Sequence, residues 1–196
     1  MKIIGITGGS GAGKSSVTAV WQRMGAVVVD ADAVYREVLA QSHQLHAEIA
    51  ARFGDVFPGG ELDRKRLADV VFADRQALLD LNAITHSYVV EGIRERLSQE
   101  REKGTEVCAL DAIYLLETDL RHLCKPTVAV TCPVQQRVAR IMERDGLDEE
   151  QARGRVKNQK NDEYYSGGCD LVLENTGDQD ALNRDAEAML KRIWEE

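Results

Sequence analysis

"MKIIGITGGSGAGKSS", residues 1–16, places four apolar residues within its first six positions, then packs glycines tightly up to a lysine and two hydroxyls. The apolar run has the length and β-branched content of a buried strand, and a helical pattern begins near Lys14. Between them, Gly8, Gly9, Ser10, Gly11, Ala12, Gly13, Lys14 and Ser15 satisfy G-x-x-x-x-G-K-[ST] in the strand-loop-helix setting that motif requires. Such glycines let the backbone turn so that successive N–H groups face the oxygens of a phosphate, and the helix N-terminus adds its dipole. Lys14 supplies a full charge near the β and γ phosphates of a nucleotide, and the Ser15 hydroxyl is a ligand for Mg2+. A dinucleotide fingerprint needs G-x-G-x-x-G, and no register here provides it: counting from Gly9 and Gly11 the third position is Lys14, and from Gly11 and Gly13 it is Ser16.

Four more short apolar runs, at 26–29, 106–110, 127–131 and 170–173, are bounded by turn residues or charge, and helical patterns separate them. That alternation predicts an α/β fold, a parallel five-stranded sheet flanked by helices. Residues 44–103 are too long for a single crossover and contain their own stops. Leu45, Ile49 and Phe53 line one helix closed by Gly54, Leu67, Val70 and Val71 a second, and Leu78, Leu81, Ile84, Tyr88, Ile93 and Leu97 a longer third. We expect this stretch to be a helical insertion. A polar helical region at 134–165 carries a capping box, Asp148 with Gln151, which divides it into two helices.

Composition narrows the class. The chain has 196 residues, 43% hydrophobic and 30% charged, which suits one globular domain with an inserted part. A formal net charge of -8 argues against nucleic acid or an anionic membrane as partner, so an anion site must be built locally. Cys108, Cys124, Cys132 and Cys169 show no metal-ligand spacing, and three of them lie within or next to apolar runs, where a free cysteine reads as a small hydrophobe and suits a reducing, cytoplasmic setting. No signal-peptide or membrane-span pattern is visible.

A glycine loop of this kind specifies a nucleotide but no reaction. The chain lacks the Asn-Lys-x-Asp of a GTPase and is too short for an AAA-type motor, so a small kinase is the leading class. "VVVDAD" (27–32) sets Asp30 and Asp32 at the carboxyl end of the second strand, where such sheets bind ligands. Asp32 reads either as a helix cap or as a general base for an acceptor hydroxyl. "VCALDA" (107–112) ends the third strand on Asp111, placed to hold Mg2+ through water or to serve structure alone. On the helix from Val134, the residues Arg137, Arg140 and Arg144 form a basic stripe beside Val134, Val138 and Ile141. Such a stripe is either solvated or faces a transferring phosphoryl group, and we favour Arg140 for the second role.

With the loop, "VVVDADAVYREVL" (27–39), "FGDVFPGGELDRKRLADVVFAD" (53–74), "LNAITH" (81–86), "RIMERDG" (140–146) and "CDLVLENTG" (169–177) in hand, the chain resembles the dephospho-CoA kinases over nearly its whole length. The resemblance implies an enzyme that moves the ATP γ-phosphate to the ribose 3'-hydroxyl of dephospho-CoA with Mg2+. It implies Gly11 to Ser16 as the ATP loop, Asp32 as base, Arg140 as a lid arginine, and Asn175 with Gly177 around the adenine. It also implies Asp63, Arg64 and His86 in or near the acceptor site. Residues 1–43, 104–133 and 168–196 would form the core, 44–103 the CoA-binding insertion and 134–167 the lid, in a monomer or weak oligomer. Ile113 and Ser87 stand where the family often has proline, and Ser16 where it often has threonine. Asp162 and Tyr165 stand in the lid where more basic residues are expected. The alternatives are a P-loop kinase for another small hydroxyl substrate, such as a nucleoside or nucleotide, or a non-catalytic nucleotide-binding module.

Overall fold

All five short apolar runs form strands in a computed structural model of the chain, which describes residues 1–195. They are β1 (Lys2–Thr7), β2 (Val27–Asp30), β3 (Val107–Asp111), β4 (Thr127–Thr131) and β5 (Leu171–Glu174). They pair throughout in parallel, in the order β2-β3-β1-β4-β5. β2 and β3 lie on one side of β1 and β4 and β5 on the other, so the carboxyl end of β1 is the topological switch point where α/β sheets bind ligands.

Strands β2 and β3 end one residue later than the apolar runs suggest. The ladder continues through the acids, pairing Asp30 with Asp111, whereas a hydrophobic reading stops at the last apolar side chain. β5 starts one residue later because Asp170 turns its side chain to β4. Its carboxylate accepts from the Thr127 N–H at 2.7 Å and from Thr127 Oγ1 at 2.8 Å.

The chain divides into two compact units, residues 1–30 with 99–196, and residues 31–98. In the first, α1 (Lys14–Arg23) and α9 (Gln179–Glu195) cover one face of the sheet. Ile4, Ile6, Val128 and Val130 pack there on Val17, Val20, Trp21, Leu182, Ala186, Leu190 and Ile193. The buried Trp21 ring donates its N–H to the Ala186 carbonyl at 2.9 Å, so its polar atom is satisfied inside an apolar cluster. On the opposite face, a β-carbon on Gly5 would lie 2.6 Å from Leu115 Cδ2 and 2.9 Å from Cys124 Cβ, which explains a glycine in the middle of β1. Cys108, Cys124 and Cys132 are buried and Cys169 is partly so. Burial pushes the Cys108 thiol up to about 11 and that of Cys124 up to about 12, so both are neutral packing groups near pH 7.

The second unit is helical. It contains α2 (Ala31–Gln41), α3 (His43–Phe53), α4 (Arg64–Ala73) and most of α5 (Arg75–Glu102). Ser42 caps α3 by accepting the Leu45 N–H at 3.2 Å, and Gly54 closes it at a φ of 78°. Leu39, Leu45, Ile49, Val56, Leu67, Val71 and Ala77 form its core. Gly92 on α5 lets α2 approach, since a β-carbon there would lie 2.9 Å from Val34.

Residues 134–168 contain three helices where two were expected: α6 (Val134–Asp145), α7 (Glu149–Lys157) and α8 (Asp162–Gly168). The Asp148–Gln151 capping box starts α7 as the sequence indicates. A second cap, Asn161 accepting the Tyr164 N–H at 3.0 Å, starts α8 and accounts for the extra break. No helix among the described residues is long and apolar enough to cross a membrane.

The Asp170 contacts carry a testable consequence. The Thr127 backbone N–H, then its hydroxyl, hold the Asp170 carboxyl below the usual carboxylate range. A depressed folded pKa gives stability that is full above the unfolded value and lost as pH falls through the folded one. Asp170→Ala should therefore lower unfolding free energy at pH 7 by about 1 kcal/mol, with the gap from wild type closing as pH drops below about 4. Denaturant titrations at pH 7 and pH 3 measure this, and a gap that is equal at both values would contradict it.

Candidate active site

The glycine loop begins at Gly8, directly after β1, and ends where Gly13 caps α1. Gly13 adopts φ 106°, a left-handed conformation that strains any residue with a β-carbon. There is no room for one either, because it would lie 2.3 Å from Asn175 Nδ2. At α1 the first N–H groups have no intrahelical acceptor, so Lys14 and Ser15 open the helix with donors available to an anion. Ser15 is exposed, Ser16 is half-buried and its N–H bonds to the Gly13 carbonyl at 3.0 Å. Lys14 is half-buried and arches back so that Nζ donates to the Gly8 carbonyl at 2.9 Å.

What aims this loop is a row of donors on its carbonyl side. Arg137 Nε donates to the Ser10 carbonyl at 2.9 Å, Arg140 Nη1 to that of Gly11 at 3.2 Å, and Asn175 Nδ2 to that of Ala12 at 2.7 Å. In a planar trans peptide the N–H points opposite to the C=O. Holding these three carbonyls on one side therefore turns the N–H groups of Gly11, Ala12 and Gly13 to the other. That of Ala12 closes a turn on the Gly9 carbonyl at 3.1 Å.

The basic stripe of α6 separates into three environments. Arg137 is buried with Val138 and Ile141, Arg140 is half-buried, and Arg144 is exposed and paired with Asp145 at 2.8 Å. Val134, expected beside the apolar residues, is exposed. Arg140 also donates to Asn175 Oδ1 at 3.3 Å and lies 3.3 Å from Cys132 Sγ. Burial pushes the Cys132 thiol up, against the opposing pull of that guanidinium.

Asn175 is buried just past β5, where its backbone N–H bonds to the Thr131 carbonyl at 2.8 Å. Its side chain is engaged at both ends by the loop and Arg140. Gly177 is exposed before α9. Asp111 is half-buried at the end of β3, beside Asp30 at the end of β2. Among the described residues no three His, Cys, Asp or Glu side chains group as a metal site. The oxygens of Ser15 and Asp111 suit a Mg2+ that keeps most of its ligands as water and substrate phosphate.

In the helical unit, Asp32 is exposed in the first turn of α2, two residues after β2 ends. Asp63 caps α4, accepting from the N–H groups of Lys65 at 3.1 Å and Arg66 at 3.0 Å. Arg64 is the first residue of α4 and near enough to Tyr35 to act on its hydroxyl, whose pKa burial raises and Arg64 opposes. His86 is exposed on α5.

Two residues to which the sequence assigns no site role, Gln159 and Asp162, are brought to the loop and to Arg137. Gln159 receives the Ser10 N–H on Oε1 and donates from Nε2 to Ser10 Oγ, both at 2.8 Å. Asp162 accepts from Arg137 Nη1 at 3.3 Å and from the Cys132 N–H at 3.2 Å. Gln159 stands in a polar turn between helices, where no periodicity marks it. The acidic Asp162, unexpected in a lid, is explained by the buried cation it faces.

A family model described as dephospho-CoA kinase matches residues 2–180. The dephospho-CoA kinase of Thermobifida fusca is 39% identical over 98% of this chain and 94% of its own. A solved structure from Thermus thermophilus aligns with a TM-score of 0.81 at 34% identity, covering 97% of each chain. A dephospho-CoA kinase from Campylobacter jejuni shares the fold, with a TM-score of 0.65 at 21% identity, covering 98% of this chain and 97% of its own. With the phosphate loop, the order of the sheet and relatives matching from end to end, the chain belongs to the dephospho-CoA kinase family.

Proposed function

We propose that the chain transfers the γ-phosphate of ATP to the ribose 3'-hydroxyl of dephospho-CoA, and that each half of the reaction has its own residues here. The observation that supports the donor half is the loop with three carbonyls tied back, and the Gly11 and Gly13 N–H groups, on the other side of two of those peptides, are the donors we assign to a phosphate. Lys14 neutralises charge on the β and γ phosphates as the bond to the leaving oxygen lengthens. The Ser15 hydroxyl, and Asp111 through water, would hold a Mg2+, which would supply further charge neutralisation for the phosphates.

On the acceptor side, Asp32 receives the proton of the 3'-hydroxyl as that oxygen attacks the γ-phosphorus. Asp63, Arg64 and His86 contribute to acceptor binding, with residues 44–103 as the CoA-binding part. Asn175 serves the adenine region through its hold on Ala12, with Gly177 leaving room beyond it. Arg140 stabilises the loop carbonyls here and, with residues 134–167 acting as a lid, the phosphates on closure. The chain is expected to work in the cytoplasm as a monomer or weak oligomer.

A substrate panel tests this. With ATP and Mg2+, phosphate transfer to dephospho-CoA should exceed that to adenosine, AMP, shikimate and gluconate by at least about 1,000-fold in kcat/KM, since a site shaped for one acceptor leaves polar groups unpaired with another. Comparable rates with a nucleoside or another small alcohol would refute the acceptor assignment.

A further inference from the structure

Arg137 is 1% exposed, on a helix face otherwise occupied by Val138 and Ile141. A guanidinium in such a place is costly to desolvate unless its donors are all well placed. Its donors go to the Ser10 carbonyl at 2.9 Å, to Gln159 Oε1 at 3.1 Å and to Asp162 Oδ1 at 3.3 Å. The same Gln159 oxygen accepts the Ser10 N–H, so Arg137 fixes which way the Gln159 amide faces and, through it, both ends of the Ser10 residue. The loop is fitted to this side chain in turn. Gly9 has no unusual φ, yet a β-carbon on it would lie 2.0 Å from Arg137 Nη2. One on Gly11 would lie 2.6 Å from the Arg137 carbonyl.

From this geometry we infer that Arg137 is a positioning residue for nucleotide binding: it holds the Ser10–Gly11 peptide so that the Gly11 N–H faces the phosphates, and keeps Gln159 in register. Arg137 touches the loop's carbonyl side, so it acts through Ser10 and Gln159 rather than on the nucleotide. Gly9 is then a glycine for the sake of Arg137 and not for backbone freedom. The inference rests on the loop being the ATP site.

The experiment measures ATP affinity by competition with a fluorescent nucleotide, without acceptor, alongside kcat and both KM values for Arg137→Met, Arg137→Lys and Gly9→Ala. Binding of ATP by the wild type tests the site itself, and its failure would remove that site whatever the variants do. Given wild-type binding, Arg137→Met should weaken ATP affinity and raise the ATP KM by at least about tenfold, the scale of lost hydrogen bonds to a charged group. The acceptor KM should stay within about twofold, because the change is confined to the donor loop. Arg137→Lys, keeping the stem, the charge and one donor, should recover part of the loss. Gly9→Ala should weaken ATP in the wild-type background and add little in the Arg137→Met background, since its clash partner is then gone.

Unchanged ATP affinity in a folded Arg137→Met protein would overturn the assignment, as would parallel rises in both KM values. If Arg137→Met does not fold, the Arg137→Lys and Gly9→Ala proteins decide. ATP affinity within about twofold of wild type in both would overturn the assignment, because the smaller changes would then leave the loop undisturbed.

Discussion

Lys14→Ala should lower kcat/KM for ATP by at least about 1,000-fold while leaving the fold intact, because it removes the one full charge the loop brings to the transferring phosphoryl. The side chain is half-buried and donates to the Gly8 carbonyl in the same loop, and it is not part of the apolar clusters of the described residues. Stability should therefore change little. Lys14→Arg should not restore activity, since the ammonium sits within the curve of the loop and a planar guanidinium is larger and hydrogen-bonds in a fixed fork. Steady-state rates with thermal melts of the same preparations measure this. An alanine variant within tenfold of wild type would mean that the loop N–H groups alone carry the phosphate charge.

The second large effect belongs to Asp32. Asp32→Asn should reduce kcat by about 100-fold or more while ATP affinity is preserved, as expected when a group that takes a proton in the transition state is replaced by one that cannot. The competing explanation is structural, because a carboxylate in the first turn of α2 also interacts favourably with the helix dipole. That role is worth about 0.3–1 kcal/mol of stability and nothing in turnover, so the two explanations separate cleanly. A fall in kcat with an unchanged melting temperature supports the base. A small fall in melting temperature with near-wild-type turnover would leave Asp32 as a helix-end charge only.

Much of the fold was legible because each strand is a short apolar run closed by a glycine, a charge or a turn, and because helix ends carry their own signals at Gly54 and Asp148. The errors are local. β2 and β3 extend through Asp30 and Asp111, since a backbone ladder pays no attention to side-chain polarity. The break before α8 depends on Asn161, whose capping role cannot be told from that of any polar turn residue without the backbone.

In the site, the phosphate loop was legible because its glycines, lysine and hydroxyl stand at a fixed spacing within one short stretch of chain. The stripe of arginines was legible only as a stripe. Periodicity puts Arg137 and Arg140 in one sector of α6, and the depth of each depends on how α6 leaves β4. Arg137 proves to be the buried one, with Gln159 and Asp162 brought to it from a turn and a helix start more than twenty residues away. No local pattern links those three. Asp63 illustrates the opposite case: its spacing to Leu67 is clear in the sequence, and the structure assigns it a helix cap in addition to any part in acceptor binding.

The central claim is a transfer between two named oxygens, and following the phosphorus itself tests it most directly. Dephospho-CoA, Mg2+ and ATP labelled at the γ position are incubated with the protein, and the label is located in the product by phosphorus NMR. The account predicts a labelled phosphomonoester on the ribose 3'-oxygen, formed in step with ADP. Label released as inorganic phosphate, or found on any other hydroxyl, would contradict it.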